Sequence, residues 1–497
     1  MRTTTAGARA LLLALVLASC DETSEEQSGG AGANAGLGGN GGSGGSAGSG
    51  GSRASGGAAG SGATTGSGGA TGSAGSAGAS GGSGGATGSG GTGGGAGNEV
   101  DASTLSGKLV MGYQGWFACP GDGAPPDRWW HWFSGQPPNA QNLNVDMWPD
   151  VSELAPDELF NTDMSLPGGE RARLFSSWTT STTVRHFRWM QEHGLDGVLL
   201  QRFLNDLGDP AFRELRDKVL MNVRAGAEAH GRVFAVMYDV SGTNAEVLAQ
   251  QLAADWAYLV HDRRVTESPR YLRHRGKPLL AIWGLGFNDR PATAAQARAI
   301  VDHFTSGAPA AEQVTLMGGV PTHWRTLSGD AKPEPEWTGV YRSFDVISPW
   351  AVGRYADDAG ADSFGEQQIL PDIAEARAAG SDYLPVVFPG FSWRNLNGGP
   401  LNEIPRRGGA FFWRQFYNAR LAGADMIYVA MFDELDEATA MFKIAPSAAE
   451  QPAGAQLVSL DIDGQALPSD WYLRVAGAAT EVLRGTRALT PGIPITP

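Results

Sequence analysis

MIYVAMFDELDEATA, residues 426–440, joins an apolar strand to four carboxylates, Asp433, Glu434, Asp436 and Glu437. A solvated acidic face scatters its charges along a helix or loop. Here the approach is almost wholly apolar, as in a strand buried on both faces, and the acids come only where that strand surfaces. Close carboxylates raise each other's pKa values because ionising both costs repulsion, and the asymmetry lets one serve as acid while another serves as base. The spacing of three between Glu434 and Glu437 puts both on one face if the chain turns helical after Phe432. Calcium also takes clustered carboxylates, but this run lacks the glycine and alternating acids of a standard calcium loop. A surface turn with merely solvated acids is the bland alternative.

Outward from this run, short apolar segments alternate with amphipathic ones, the signature of a parallel sheet with crossover helices. Candidate strands fall at 109–112, 197–201, 232–238, 278–283, 314–319, 346–350, 383–388 and 426–432. Eight parallel units predict an α/β fold, a closed (β/α)8 TIM barrel whose last strand carries the acids. The helices agree. Asp209 and Pro210 open one that places Phe212, Leu215, Val219 and Val223 at helical spacing before Gly231 stops it. A second, 244–262, aligns Val247, Leu248, Leu252, Trp256 and Leu259. Between the first two strands lies a long insertion, roughly 118–177, rich in Trp, Pro and Asp, and its aromatic content argues for function.

The amino-terminal end has the three-part layout of an export signal, with Arg2 and Arg9, an apolar run at 10–17, then Ala18, Ser19 and Cys20. It is too short to span a membrane. Leu17-Ala18-Ser19-Cys20 resembles a bacterial lipobox, which implies cleavage before Cys20 and lipidation of its thiol; the alternative is an ordinary secretory signal with an incidental cysteine. Residues 28–98 are almost only Gly, Ala, Ser and Thr with Arg53 as the one charge, so they bury no core and read as a flexible linker. About 70 such residues reach on the order of 45 Å, and a wall-spanning or glycosylated stalk shares the composition. The expected division is a leader at 1–19, Cys20 and linker at 20–102, and one domain at 103–497. The expected location is exported and membrane-anchored. With Cys20 taken by the lipid, Cys119 is the one cysteine left, which excludes an internal disulfide and a cysteine cluster for zinc. The formal net charge of −15 argues against nucleic acid and for a neutral or cationic partner.

In a barrel of this kind working groups sit where strands end at the carboxyl face. Strand one is followed by Tyr113, Gln114 and Trp116, strand two by Arg202, and strand three by Asp239. Strand four is followed by Trp283, Asn288 and Asp289, strand five by Trp324, strand six by Trp350 and Arg354, and strand seven by Trp393 and Asn395. Flat rings give an apolar platform for a sugar's C–H face, and fixed polar groups satisfy its hydroxyls. One tryptophan after a strand is more often rim packing, but five of the eight ends carry one. His131, within Trp129-Trp130-His131-Trp132, either binds a substrate hydroxyl or is satisfied inside an aromatic cluster. Cleaving a glycosidic bond takes a proton donor and a second carboxylate, roles that Glu437 and Glu434 fit, with Asp433 and Asp436 orienting partners or capping the turn.

Seven motifs carry a resemblance that spans the folded region: GYQGWF (112–117), VLLQRF (198–203), MYDVSG (237–242), AIWGLGFNDR (281–290), SPWAVGRY (348–355), VVFPGFSW (386–393) and AMFDELDEATAMFK (430–443). With these the chain resembles the glycoside hydrolase family 71 and family 99-like group, barrels that include endo-α-mannosidases and bacterial proteins labelled xylosidase/arabinosidase. Family 99 enzymes carry Asn-Glu-Trp-His-Glu-Gly after a late strand, and in that register the two glutamates match Glu434 and Glu437, while Asp433, Leu435, Asp436 and Ala438 depart. The resemblance implies retaining hydrolysis, with Glu437 as acid/base and Glu434 assisting attack by the sugar's own 2-hydroxyl through an anhydro intermediate. The expected protein is a lipid-anchored glycoside hydrolase of an oligo- or polysaccharide, monomeric, with no cofactor or metal and no nucleic-acid partner. A non-catalytic carbohydrate-binding lipoprotein on the same barrel is the alternative.

Overall fold

The computed structural model describes residues 99–497. The expected leader, Cys20 and the linker up to residue 98 lie outside the described residues. The predicted apolar segments become β1 (Leu109–Tyr113), β4 (Gly197–Phe203), β5 (Val233–Asp239), β7 (Lys277–Trp283), β8 (Thr315–Val320), β9 (Val346–Pro349), β10 (Asp382–Tyr383), β11 (Val386–Val387) and β12 (Ile427–Val429). The insertion contributes an antiparallel hairpin, β2 (Leu159–Ser165) with β3 (Arg171–Phe175), and the two-residue β6 (Arg273–His274) lies antiparallel on β7.

The main ladder is parallel and runs β10-β9-β8-β7-β5-β4-β1-β12-β11. Its two ends are one stretch of chain, split only by Leu384 and Pro385. Proline has no N–H to donate, so it interrupts the ladder without ending the strand. Tyr383 pairs with Ile347 on one side and Val386 with Tyr428 on the other. In between, the Leu384 N–H donates to the Ile347 carbonyl at 2.9 Å, and the Tyr428 N–H to the Pro385 carbonyl at 3.0 Å. The sheet therefore curls until its ends meet, and every parallel strand opens its carboxyl end on the same side.

Side chains alternate across a strand, and this sorts the residues at that mouth. Gly112 faces inward, where a Cβ would come 2.2 Å from the Tyr428 hydroxyl. Tyr113, one residue on, faces the helix Thr180–Glu192, its hydroxyl 2.9 Å from His186 Nδ1. Gln201 likewise turns inward and donates to the Tyr428 hydroxyl at 3.3 Å. Arg202 turns outward and donates to Asp255 at 2.6 and 2.8 Å and to Asp217 at 2.9 Å. Those two acids lie on the helices Ala245–His261 and Pro210–His230. The first helix carries the expected caps, Asp209 accepting the Ala211 N–H at 2.7 Å and Gly231 ending it with φ at 61°, and Asn244 caps the second by accepting the Glu246 N–H at 2.8 Å.

Tyr113 and Arg202 thus join sheet to helices and do not face a ligand, contrary to expectation. Replacing Arg202 with methionine leaves Asp255 and Asp217 buried with their shared guanidinium gone. We expect urea unfolding to show a loss of about 3–5 kcal/mol.

Candidate active site

β12 ends at Val429 instead of Phe432, and the chain then turns without becoming helical. The Ala438 N–H donates to the Leu435 carbonyl at 3.3 Å, and Ala438 takes a left-handed conformation with φ at 53°. The loop is closed at its base, where the Met431 N–H donates to the Thr439 carbonyl at 3.2 Å and the Phe442 N–H to the Phe432 carbonyl at 3.0 Å. Arg406 adds donations to the Ala438 and Ala440 carbonyls at 2.9 and 2.8 Å. The acids are accordingly buried: Asp433 is 0 %, Glu434 6 %, Asp436 2 % and Glu437 9 % exposed. This is not a solvated acidic turn.

Each acid has its own neighbours. Asp433 ties the turn to the end of β1, accepting the Gln114 N–H at 2.7 Å and the Gly115 N–H at 2.9 Å. Gly115 is required there, since its φ is +57° and a Cβ would come within 2.6 Å of Val219. The Gln114 amide donates to Glu434 Oε2 at 2.5 Å, and its own Oε1 is buried without a partner. Asp436 Oδ2 lies 2.9 Å from His131 Nδ1, while its Oδ1 is unpartnered. His131 stacks on Trp116 with ring centres 3.8 Å apart and planes 7° from parallel. The Glu437 carbonyl accepts the Ser392 N–H at 3.0 Å, which brings the Trp393 indole against the Glu437 carboxylate without a well-formed hydrogen bond.

Asp146, fully buried in the insertion, clamps these loops together. It accepts the Ser392 hydroxyl at 2.5 Å and the N–H groups of Arg394 and Asn395 at 2.6 and 2.7 Å. Its own N–H donates to the Leu435 carbonyl at 2.9 Å. One buried residue thereby holds the Trp393 loop and the acidic turn in register.

Burial is the largest force on all four acids, because desolvation penalises the charged form. It pushes Asp433 and Glu437 up to about 7 and raises Glu434 and Asp436 well above the carboxylate range. After burial, the charge of Glu437 and then that of Asp436 raise Glu434, and Asp436 raises Glu437. His131 is pushed down to about 3 by burial and then by the charge of Arg216, so both members of the His131–Asp436 pair favour the neutral form. Glu434 and Glu437 titrate as a pair that holds a proton into the neutral range. The Gln114 donation opposes that rise at Glu434, and the Trp393 indole opposes it at Glu437.

Of the predicted ligand-binding residues, Gln114, Trp116, His131, Trp393 and Asp433 gather around Glu434 and Glu437. Asp239 ends β5, accepts the Ser241 N–H at 2.7 Å, and together with Glu434 and Asp433 acts on the Tyr428 hydroxyl. Trp283 and Trp350 meet edge to face, 5.4 Å apart, at the ends of β7 and β9. The rest lie in loops that fold back onto neighbours. Trp324 is fully buried and donates to Asp372 at 2.9 Å. Arg354 donates to Asp330 at 2.6 Å and Thr322 at 2.9 Å, and the exposed Asn288 donates to the Gly329 carbonyl at 2.8 Å. These three are corrected to loop-bracing roles. The Cys119 thiol is buried against the Phe175 carbonyl at 3.1 Å and pushed up by burial, as suits a structural cysteine. Sequence reasoning missed Gln201, Asp146 and Arg406. Strand alternation could have found Gln201, but nothing local marks the other two. A groove of about 770 Å³ at the opposite end of β7, by Lys277, Pro278 and Gln313, includes none of the acids.

No protein-family model matches the chain, and no curated protein does. Among solved structures it is similar to a GH99 endo-α-mannosidase from Bacteroides thetaiotaomicron, at a TM-score of 0.56 and 14 % identity over 78 % of this chain and 100 % of that one. A second structure of that enzyme, in complex with BIS-TRIS-propane, aligns at 0.56 and 15 % identity over 77 % of this chain and 99 % of the other. The likeness is one of fold, an α/β barrel with the same overall course.

Carboxyls raised by burial bind protons more tightly folded than unfolded, where their pKa is about 4. Their stabilising contribution is therefore complete below about pH 4 and lost as pH rises through about 7. Glu437→Gln keeps the shape and cannot ionise. In paired thermal melts it should exceed the wild-type midpoint at pH 8 and approach it near pH 4.5; the same offset at both pH values contradicts a raised Glu437.

Proposed function

We propose that this chain is a glycoside hydrolase acting on an oligo- or polysaccharide, with Glu437 as acid/base and Glu434 as its partner. The observation that carries this reading is a buried, interacting pair of carboxyls at the carboxyl end of a parallel barrel, with the Gln114 amide on Glu434 and the Trp393 indole against Glu437. A carboxyl held protonated near neutral pH can give its proton to a leaving-group oxygen, and a neighbour held ionised can take one up.

The route follows the one that the family resemblance implies. Glu437 protonates the glycosidic oxygen as the bond to the anomeric carbon breaks. Glu434 accepts the proton of the sugar's 2-hydroxyl, whose oxygen closes onto that carbon. Glu437, now a carboxylate, then deprotonates the water that opens the anhydro ring, and Glu434 returns its proton to the 2-oxygen. No protein atom attacks the sugar. Gln114 orients Glu434, while Trp393 and the Trp116–His131 stack wall the two acids. The leader and the Leu17–Cys20 box support an exported, lipid-tethered protein whose linker lets the barrel reach substrates beyond the bilayer.

A glycan panel read for both cleavage and binding tests the assignment. We expect Glu437→Gln to lower turnover by about 10²–10⁴-fold, the contribution of a general acid, while glycan affinity stays within a few-fold. Wild-type rates from that variant would sink the mechanism, and inversion at the anomeric carbon, followed by NMR, would sink the anhydro route. A glycan that is bound by wild type and never cleaved points instead to a carbohydrate-binding protein.

A further inference from the structure

Elsewhere in the fold several buried carboxylates are matched by guanidinium groups. Arg185 meets Glu158 at 2.6 Å, Arg325 meets Asp372 at 2.7 Å, and Arg202 meets Asp255 at 2.6 Å. At the mouth this pattern stops. Among the described residues, no lysine or arginine nitrogen lies within 4.0 Å of Asp433, Glu434, Asp436 or Glu437, and the one basic contact is His131 on Asp436. The cations nearby are engaged elsewhere, although Arg216 Nη1 and Arg406 Nε have no hydrogen-bond partner. Arg216 donates to Asp206 at 2.5 and 2.9 Å, and Arg406 grips loop carbonyls with Asp463 and Tyr472 to meet its charge.

Unmet hydrogen-bonding groups point the same way. Gln114, 7 % exposed with its amide on Glu434, has a free acceptor in Oε1, and Gln201 and Asp436 each add another buried acceptor without a partner. Toward the rim the unmet groups are donors, the indole N–H of Trp116, Trp283 and Trp350. Scaffold tryptophans differ, since Trp132, Trp256 and Trp413 donate to carbonyls at 3.1, 2.8 and 2.9 Å. A buried polar atom without a partner costs free energy, so a ligand that supplies donors to the floor and acceptors to the rim recovers it.

We infer that the sugar bound by Glu434, Asp436 and Glu437 is an amino sugar, whose ammonium group supplies the missing positive charge and the missing donors. From the glycosidase reading this takes only that the ligand is a sugar. An ammonium brings three N–H donors and one charge, which suits acceptors spread over several side chains. A divalent ion needs its ligands to converge, and among the described residues no three His, Cys, Asp or Glu side chains do so. The ring carbons of the same sugar lie against tryptophan faces, and its hydroxyl oxygens accept from the indoles. Because some of these carboxyls hold protons when empty, binding of the cation at neutral pH releases them.

Titration calorimetry on the full chain at pH 7, in two buffers of different ionisation enthalpy, tests this with glucosamine, mannosamine and galactosamine against their N-acetyl and hydroxyl counterparts. At least one amine should bind tenfold or more tightly than both counterparts, with proton release to the buffer. Asp436→Asn, first checked for a wild-type-like cooperative melt, should shrink that preference and the release. Equal or weaker affinity for every amine overturns the inference. Hydrolysis of neutral glycans with no amine preference overturns it while leaving the glycosidase reading intact. Amine-selective binding without cleavage of any glycan upholds the inference and counts against catalysis.

Discussion

Two backbone N–H groups, those of Gln114 and Gly115, donate to the carboxylate of Asp433, and through this contact the first and last strands of the barrel share one loop system. Its geometry depends on a glycine at 115, because the left-handed backbone and the nearness of Val219 leave no room for a side chain. Once the contact forms, Gln114 is placed to donate to Glu434. Asp433 thereby serves as an acceptor for backbone N–H groups.

The rest of the mouth is built around what that anchor leaves unbalanced. Desolvation acts against four carboxyls at once, and the scaffold's remedy for buried acids, an arginine, is withheld there. Such a cluster destabilises the fold as pH rises, and strained or destabilised groups of this kind gather at functional sites. The insertion supplies what order the cluster has, through Asp146 on the Trp393 loop and His131 on Asp436. Trp116 then backs His131, so three parts of the chain far apart in sequence converge on one turn.

Much of this was legible early. Apolar runs of strand length, an Asp-Pro helix start and a Gly stop are local signals, and they located the parallel strands and their helices. Acids after the last strand were legible for the same reason. Side-chain direction at the strand ends was not. Tyr113 and Gln114 are neighbours at the end of β1, and Gln201 and Arg202 are neighbours in β4, yet the two-residue period of the sheet sends one of each pair to the helices and the other to the mouth. Trp324, Arg354 and Asn288 lie further along, where loop course and not strand direction decides what a residue touches.

By itself the sequence determined the parallel α/β fold and the position of the acidic turn in it, because periodicity is a property of neighbours along the chain. Tertiary structure decided which groups face each other across it. Asp146 and Asn395 are 249 residues apart, and Gln114 and Glu434 are 320 apart, yet each pair is in hydrogen-bond contact. The protonation of the acids was decided there too, since burial and neighbouring charge arise only when the sheet has closed.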